Sequence, residues 1–281
     1  MLLNFFQTLL RQRLRRNHYN KNAMNDKLTR LWQTKTKNDE YWSSFVTSPL
    51  AIAMNYLVVD IRWLTPNRIT LLSFIVALAS SGFILANSPG SFIIAATLIN
   101  LSHVLDCMDG QMARYRKSTS PTGSYYDKFT DQLQVIIWFG AIGYTAYMQS
   151  HSAVPLMLAF VGVAFYSLRG YVKYVSLHAM MQRDKNYLDQ LAAKQIETQP
   201  TITAGLGFGL RANLHWFLAQ QKKILAFDEG VFILMLSIAL VFNVITPMLW
   251  VFAISQLILG LLRGLQRAKA LTLDGVPIIS K

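Results

Sequence analysis

Between residues 61 and 183 the chain carries only four acidic residues, Asp106, Asp109, Asp127 and Asp131. Carboxylates in otherwise apolar helical sequence are costly and default to a functional reading. Asp106 and Asp109 stand three apart, Asp127 and Asp131 four apart, so each pair shares one helix face. Gly110 and Ala113 continue the Asp106 face with almost no side chain. The stretch between the pairs holds Arg114, Arg116, Lys117, Ser118, Thr119, Ser120, Pro121, Thr122 and Gly123, which is turn chemistry. Two helices joined by so short a turn bring both pairs together. Four like charges repel unless cations sit among them, and hard divalent cations prefer oxygen ligands. Two Mg²⁺ or Mn²⁺ ions there could clamp a pyrophosphate, stabilise a leaving phosphate and orient an attacking oxygen. No His or Cys stands at ligand spacing around the cluster, which argues against zinc or iron. Arg114 could neutralise a phosphate. Aspartates as plain helix caps are common, but no cap requires two such pairs facing each other.

The elements that position this cluster follow from composition. Of 281 residues, 53% are hydrophobic and 15% charged, while 27 Lys+Arg against 14 Asp+Glu leave a formal charge of +13. A greasy and basic chain suits a membrane protein with a basic cytosolic surface rather than a nucleic-acid binder. The single cysteine, Cys107, excludes an internal disulfide and a cysteine-built zinc site.

Three runs lack Asp, Glu, Lys and Arg: 69–105, 132–168 and 230–262. Each is too long for one bilayer crossing of about 20 residues and suits a helical hairpin. Turn residues lie near each middle, at Asn87–Gly90, Gln149–Ser152 and Asn243–Pro247. The chain is thus read as all-α, with six transmembrane helices near 67–87, 91–114, 122–148, 153–178, 228–243 and 246–266. All 27 Lys and Arg fall on the side holding both termini. By the positive-inside rule that side is cytosolic, within the cytoplasmic (inner) membrane, and the aspartates face it.

Residues 1–40 form a basic arm whose leucines and phenylalanines precede Arg11, Arg13, Arg15 and Arg16, the reverse of a signal peptide. They read as an amphipathic interfacial helix drawn to anionic lipid, with residues 17–38 equally readable as a disordered tail. Residues 41–60 read as a second helix lying along the membrane. The transmembrane domain is placed at 41–267, including a cytosolic loop at 180–226, and a cytosolic tail at 268–281. Gly205–Gly209 resembles a phosphate loop only superficially, since no strand precedes it. Gly140 and Gly143 would allow close helix packing.

The spacing Asp106-x2-Asp109-Gly110-x2-Ala113-Arg114-x8-Gly123-x3-Asp127-x3-Asp131 resembles the signature of the CDP-alcohol phosphotransferase family, with all eight fixed positions present. Thr65–Thr70 at the start of the first span is also similar. The resemblance implies an integral membrane enzyme, a homodimer, that uses Mg²⁺ or Mn²⁺, two ions per subunit. It implies displacement of CMP from a CDP-linked donor by an alcohol acceptor. Asp106, Asp109, Asp127 and Asp131 are then metal ligands, and Asp131 is also the base that deprotonates the acceptor. Asn67, Thr70, Gly110, Ala113, Arg114, Ser120 and Gly123 contact the CDP moiety. In one family branch CDP-diacylglycerol is the donor to a polar alcohol; in the other a head group passes from a CDP-choline- or CDP-ethanolamine-type donor to diacylglycerol, and a few members join polar solutes. Chain length, six spans and the basic N-terminus favour the first branch, while Ser120-Pro121 resembles the second.

A phosphorylated acceptor would need cations, for which Arg116, Arg169 and Lys173 are candidates, and Arg263 and Arg267 repeat the i, i+4 spacing. The plainer reading of these cations is snorkelling anchors. An Asp-rich intramembrane prenyltransferase would want two separated Asp motifs. A cation transporter would place its carboxylates near the bilayer midplane. Neither accounts for Gly110, Ala113, Arg114 and Gly123.

Overall fold

A computed structural model describes residues 26–35, 42–197, 210–221 and 226–272. The first 25 residues, the glycine-rich Gly205–Gly209 and the tail beyond 272 lie outside the described residues. All regular structure described is helical. Residues 26–33 form α1, a π-helical turn Ser43–Thr47 leads into α2 (Ser48–Val58), and the main body is α3 (Pro66–Leu85), α4 (Pro89–Tyr115), α5 (Pro121–Ser150) and α6 (Val154–Arg183). Two helices of the 180–226 loop follow, α7 (Tyr187–Glu197) and α8 (Leu210–Gln221), then α9 (Glu229–Val241) and α10 (Ile245–Thr272). The six main helices fall where the charge-free runs predict them. Instead of a tail, residues 26–33 are helical.

Local sequence dictates these starts. α3, α4 and α5 each begin with a hydroxyl cap followed by proline, whose missing N–H costs nothing at a first helical position. Ser120 Oγ accepts from Gly123 N at 3.0 Å, and Ser88 and Ser91 cap each other reciprocally. Asn87, His151 and Asn243, one in each predicted hairpin turn, take positive φ of 49°, 51° and 51°. Gln149 Nε2 ties two of these turns together, donating to Asn87 Oδ1 at 2.8 Å and to Asn243 Oδ1 at 3.0 Å. The three turns therefore share one end of the bundle, and the aspartates lie at the other.

Among the described residues four helices are long and apolar enough to cross a membrane: α3, α4, α6 and α10. α9 has 13 residues, about 20 Å of helix against a core of about 30 Å. α5 is long, but its polar first turns, Asp131, Gln132 and Gln134 leave a shorter apolar stretch.

α3 packs on α4 and α5, α6 on α5 and α10, and α9 on α4. The core centres on Trp138, Phe139, Phe232 and Phe252, with Phe139 and Phe252 stacked at 4.0 Å. Buried serines add polar ties between helices: Ser73 and Ser102 meet at 3.1 Å, and Ser102 donates to Gln134 Oε1 at 3.2 Å. Gly143 does serve close packing, since a Cβ there would lie 2.7 Å from Ala159 Cβ; Gly140 faces open space. α2 is held under the end of α4 by Asn55, which donates to Met108 O at 2.9 Å, and by Gln111, which donates to Ser48 O at 3.2 Å. Leu31 of α1 is fully buried in the same cluster.

Candidate active site

The end of α4 and the start of α5 bring three of the four aspartates, Asp106, Asp109 and Asp127, to one place. Carboxylate oxygens of Asp106, Asp109 and Asp127 all lie within 4.8 Å of one another. Asp109 is buried, and the Thr70 hydroxyl from α3 donates to its Oδ2. Asp106 Oδ1 is buried with no hydrogen-bond partner, a costly arrangement that a bound cation would relieve. Three convergent oxygens, one of them unsatisfied, fit a hard divalent ion.

These three aspartates sit in a cavity of about 450 Å³. Asn67, Thr70, Gly110, Ala113, Arg114, Ser120 and Gly123, the residues predicted on the nucleotide side, all line it. The glycines have a steric reason. A Cβ on Gly110 would lie 3.1 Å from the Arg114 guanidinium, and one on Gly123 would meet Ser120 Oγ at 3.1 Å and Asn67 Oδ1 at 3.3 Å. Small residues thus let the cap of α5, the start of α3 and the Arg114 side chain converge. Arg114 Nε also donates to Thr34 O at 2.7 Å, which lays the α1 segment against the cavity.

Asp131 faces a different space. It lines a second cavity of about 460 Å³, together with Arg169, Lys173, Arg263 and Arg267. Arg169 is partly committed, donating to Ala226 O at 2.5 Å and Gln256 Oε1 at 2.9 Å. Lys128 and Glu229 line both cavities and form the wall between them. The Lys128 ammonium lies 2.8 Å from Asp127 Oδ2 and 2.8 Å from Asp131 Oδ2.

A family model described as CDP-alcohol phosphatidyltransferase matches residues 63–262, most of the chain and all of the aspartate cluster. The chain belongs to that family. Cholinephosphotransferase 1 of Xenopus laevis is 26% identical over 102 residues, 33% of this chain and 25% of that protein. A bifunctional IPC transferase and DIPP synthase of Thermococcus kodakarensis is 30% identical over 98 residues, 35% of this chain and 21% of that protein. The matched stretch is thus a quarter or less of either curated relative. A crystal structure of Mycobacterium tuberculosis phosphatidylinositol phosphate synthase with CDP-DAG bound aligns with TM-score 0.46 and 15% identity, covering 83% of this chain and 99% of that one.

Around the family motif the structure makes two corrections. Arg116 does not join the other candidate acceptor cations. Its guanidinium donates to Val59 O at 2.6 Å, Ile61 O at 2.9 Å and Leu64 O at 2.6 Å, tying down the connection from α2 to α3. The cluster also has a histidine within reach: His103, Asp106 and Glu229 form a second group with ligand atoms within 4.8 Å. His103 Nε2 meets Ser43 Oγ at 2.9 Å, and its Nδ1 lies 3.6 Å from Glu229 Oε1. His103 stands three residues before Asp106, one helical turn away on the same face, so its spacing was visible. Glu229 was not, because it lies 98 positions beyond Asp131 and only the α4–α9 packing brings it near.

Proposed function

We propose that this protein is an integral membrane CDP-alcohol phosphotransferase that takes CDP-diacylglycerol as donor and a polar alcohol bearing an anionic group, such as a phosphate, as acceptor. The observation that carries the reading is the division of the aspartates. Asp106, Asp109 and Asp127 line the cavity that holds the nucleotide-side residues, while Asp131 lines the cationic cavity. A neutral diacylglycerol acceptor would have no use for Arg169, Lys173, Arg263 and Arg267, which favours transfer to an anionic polar alcohol over head-group transfer to lipid.

Asp106, Asp109, Asp127 and Asp131 would hold two Mg²⁺ or Mn²⁺ ions. When bound, such ions neutralise the pyrophosphate and the charge that develops on the leaving CMP. Asn67, Thr70, Gly110, Ala113, Arg114, Ser120 and Gly123 bind and orient the CDP moiety against them. Arg169 and Lys173 orient the acceptor's anionic group. Asp131 accepts the proton of the acceptor hydroxyl. The oxygen bonds to the phosphatidyl phosphorus, the bond from that phosphorus to the bridging oxygen breaks, and CMP leaves with the electron pair. The phosphodiester remains with the lipid.

The family resemblance and the charge distribution support six spans with both termini and the site on the cytosolic face of the cytoplasmic membrane. α2 lies along that face, and the functional unit is a homodimer.

The test is CMP release by purified protein from CDP-diacylglycerol, and separately from CDP-choline or CDP-ethanolamine with diacylglycerol. Each donor is assayed with Mg²⁺, with Mn²⁺ and with EDTA, beside Asp131→Asn. Release from CDP-diacylglycerol with a phosphorylated polyol, lost in EDTA and in the variant, is expected. Release only from the CDP-amino-alcohol donors would reverse the branch. Near-normal turnover by Asp131→Asn would remove it as base.

A further inference from the structure

Lys128 holds a position that the family motif does not specify, directly between two of its fixed aspartates. The ammonium bridges Asp127 and Asp131 at 2.8 Å to each, and its side chain is 60% exposed, so the stem is not clamped by packing. Among the described residues Lys128 is the cation that lines both cavities. An ammonium is a compact, hydrated single charge with three donors on a flexible stem. It sits on Asp127 Oδ2 and Asp131 Oδ2, two of the four carboxylates read as ligands for a divalent ion. A divalent ion drawn to Asp127 and Asp131 competes with the ammonium for their negative charge and repels it, so the ion's arrival favours the lysine's departure. Toward the donor cavity lie the metal site and Arg114. On the other side lie Asp228 and open volume, with Glu229 in the shared wall. The four arginines and lysines there make that volume a poor home for another cation until an anion enters it.

We propose that Lys128 is a cation-exchange residue. It bridges Asp127 and Asp131 when no divalent ion is bound, and swings to pair with the acceptor's anionic group once the ion is in place. This rests on reading the four aspartates as a divalent-cation site and adds a coupling to it. A bound acceptor anion removes the lysine's competition, and by linkage a bound divalent ion favours the anion equally. The residue thus sets an order of assembly, with the site complete only when ion and acceptor are both present.

The experiment titrates Mn²⁺ alone into detergent-purified full-length protein, followed by electron paramagnetic resonance, in sodium chloride and in sodium sulfate at equal ionic strength. Sulfate stands in for the acceptor's tetrahedral anion. Lys128→Met and Lys128→Gln should bind Mn²⁺ about three- to tenfold tighter than the wild type, the scale of two exposed ion pairs no longer competing. Sulfate should tighten Mn²⁺ binding in the wild type and leave both variants unmoved. Wild-type binding that neither substitution strengthens would overturn the exchange while leaving the metal site intact. A wild type with no saturable Mn²⁺ binding would overturn the metal reading and the exchange together. Sulfate that tightens Mn²⁺ equally in wild type and variants would overturn the move toward the acceptor.

Discussion

Two cavities of nearly equal size, about 450 and 460 Å³, meet at Lys128 and Glu229, and they are built in opposite ways. Most of the first comes from one hairpin, the end of α4 and the start of α5, with Asn67 and Thr70 added from α3. Its two glycines each have a steric reason, and its carboxylates are fixed by helix spacing. The second draws its cations from α5, α6 and α10; two i, i+4 pairs are visible locally, but nothing local says that α6 and α10 bring them to one cavity. Geometry that must be fixed for one reaction is encoded locally, where register alone holds it. On the proposed reading, acceptor recognition is spread over elements whose relative placement comes from packing.

If the first cavity is the common reaction centre, damage there should not depend on the acceptor. Asp106→Asn is expected to lower CMP release by on the order of a thousandfold with every alcohol tried, through loss of the carboxylate common to both clusters of candidate ligands. Donor binding at limiting Mg²⁺ should weaken as well. A loss confined to some acceptors would break the distinction between the two cavities.

Arg116 lies beside the reaction centre in sequence yet serves neither cavity. Arg116→Ala removes charge-assisted bonds to Val59, Ile61 and Leu64 carbonyls, and should cost about 2–3 kcal/mol of stability. Thermal unfolding in detergent measures this. The remaining folded protein should keep its KM for donor and acceptor, whereas an acceptor KM raised tenfold with stability intact would return Arg116 to the acceptor side.

Lys173 offers the converse. Its ammonium lies 5.9 Å from the Tyr174 ring and lines the second cavity. Lys173→Met should raise the KM for an anionic acceptor about tenfold, a single charge-assisted bond, and leave the KM for CDP-diacylglycerol unchanged. Equal shifts in both would mean that the cavities do not divide the substrates.

The two cavities were unequally legible for the same physical reason. The helices could be read because charge is expelled from apolar spans, and because the hairpin turns at Asn87, His151 and Asn243 need residues or neighbours that tolerate a turn. The aspartate pairs could be read because i, i+3 and i, i+4 spacing survives folding unchanged, whereas Asn67, Thr70 and Ser120 were named from the family resemblance. Arg116's place could not be read because a sequence shows its charge but not the three carbonyls it ends against. Glu229 was missed because its place beside Asp106 depends on α9 docking against α4, a contact between residues about 120 positions apart. His103 was overlooked although its spacing was in view, since buried histidines on apolar faces are ordinary and only the nearby Glu229 and Ser43 single it out.

The smallest effect lies at the seam that joins the two halves, where α5 meets α6. Gly143 and Gly140 are three residues apart on α5, yet their surroundings differ. A methyl at position 143 would lie 2.7 Å from Ala159 Cβ, while one at position 140 would meet no atom within 4 Å. Gly143→Ala should therefore push α6 outward and cost about 1–2 kcal/mol of stability, the lower range for overpacking. Because α6 carries Arg169 and Lys173, acceptor KM should rise slightly while donor KM holds. Gly140→Ala should instead stabilise by up to about 1 kcal/mol, since alanine is the better helix former and nothing opposes it within one subunit. Thermal unfolding of the two variants in the same detergent compares the signs directly. A destabilised Gly140→Ala would mean that another surface, the second subunit of a homodimer, closes on that face, and equal behaviour at both positions would remove the seam as the joint between the two cavities.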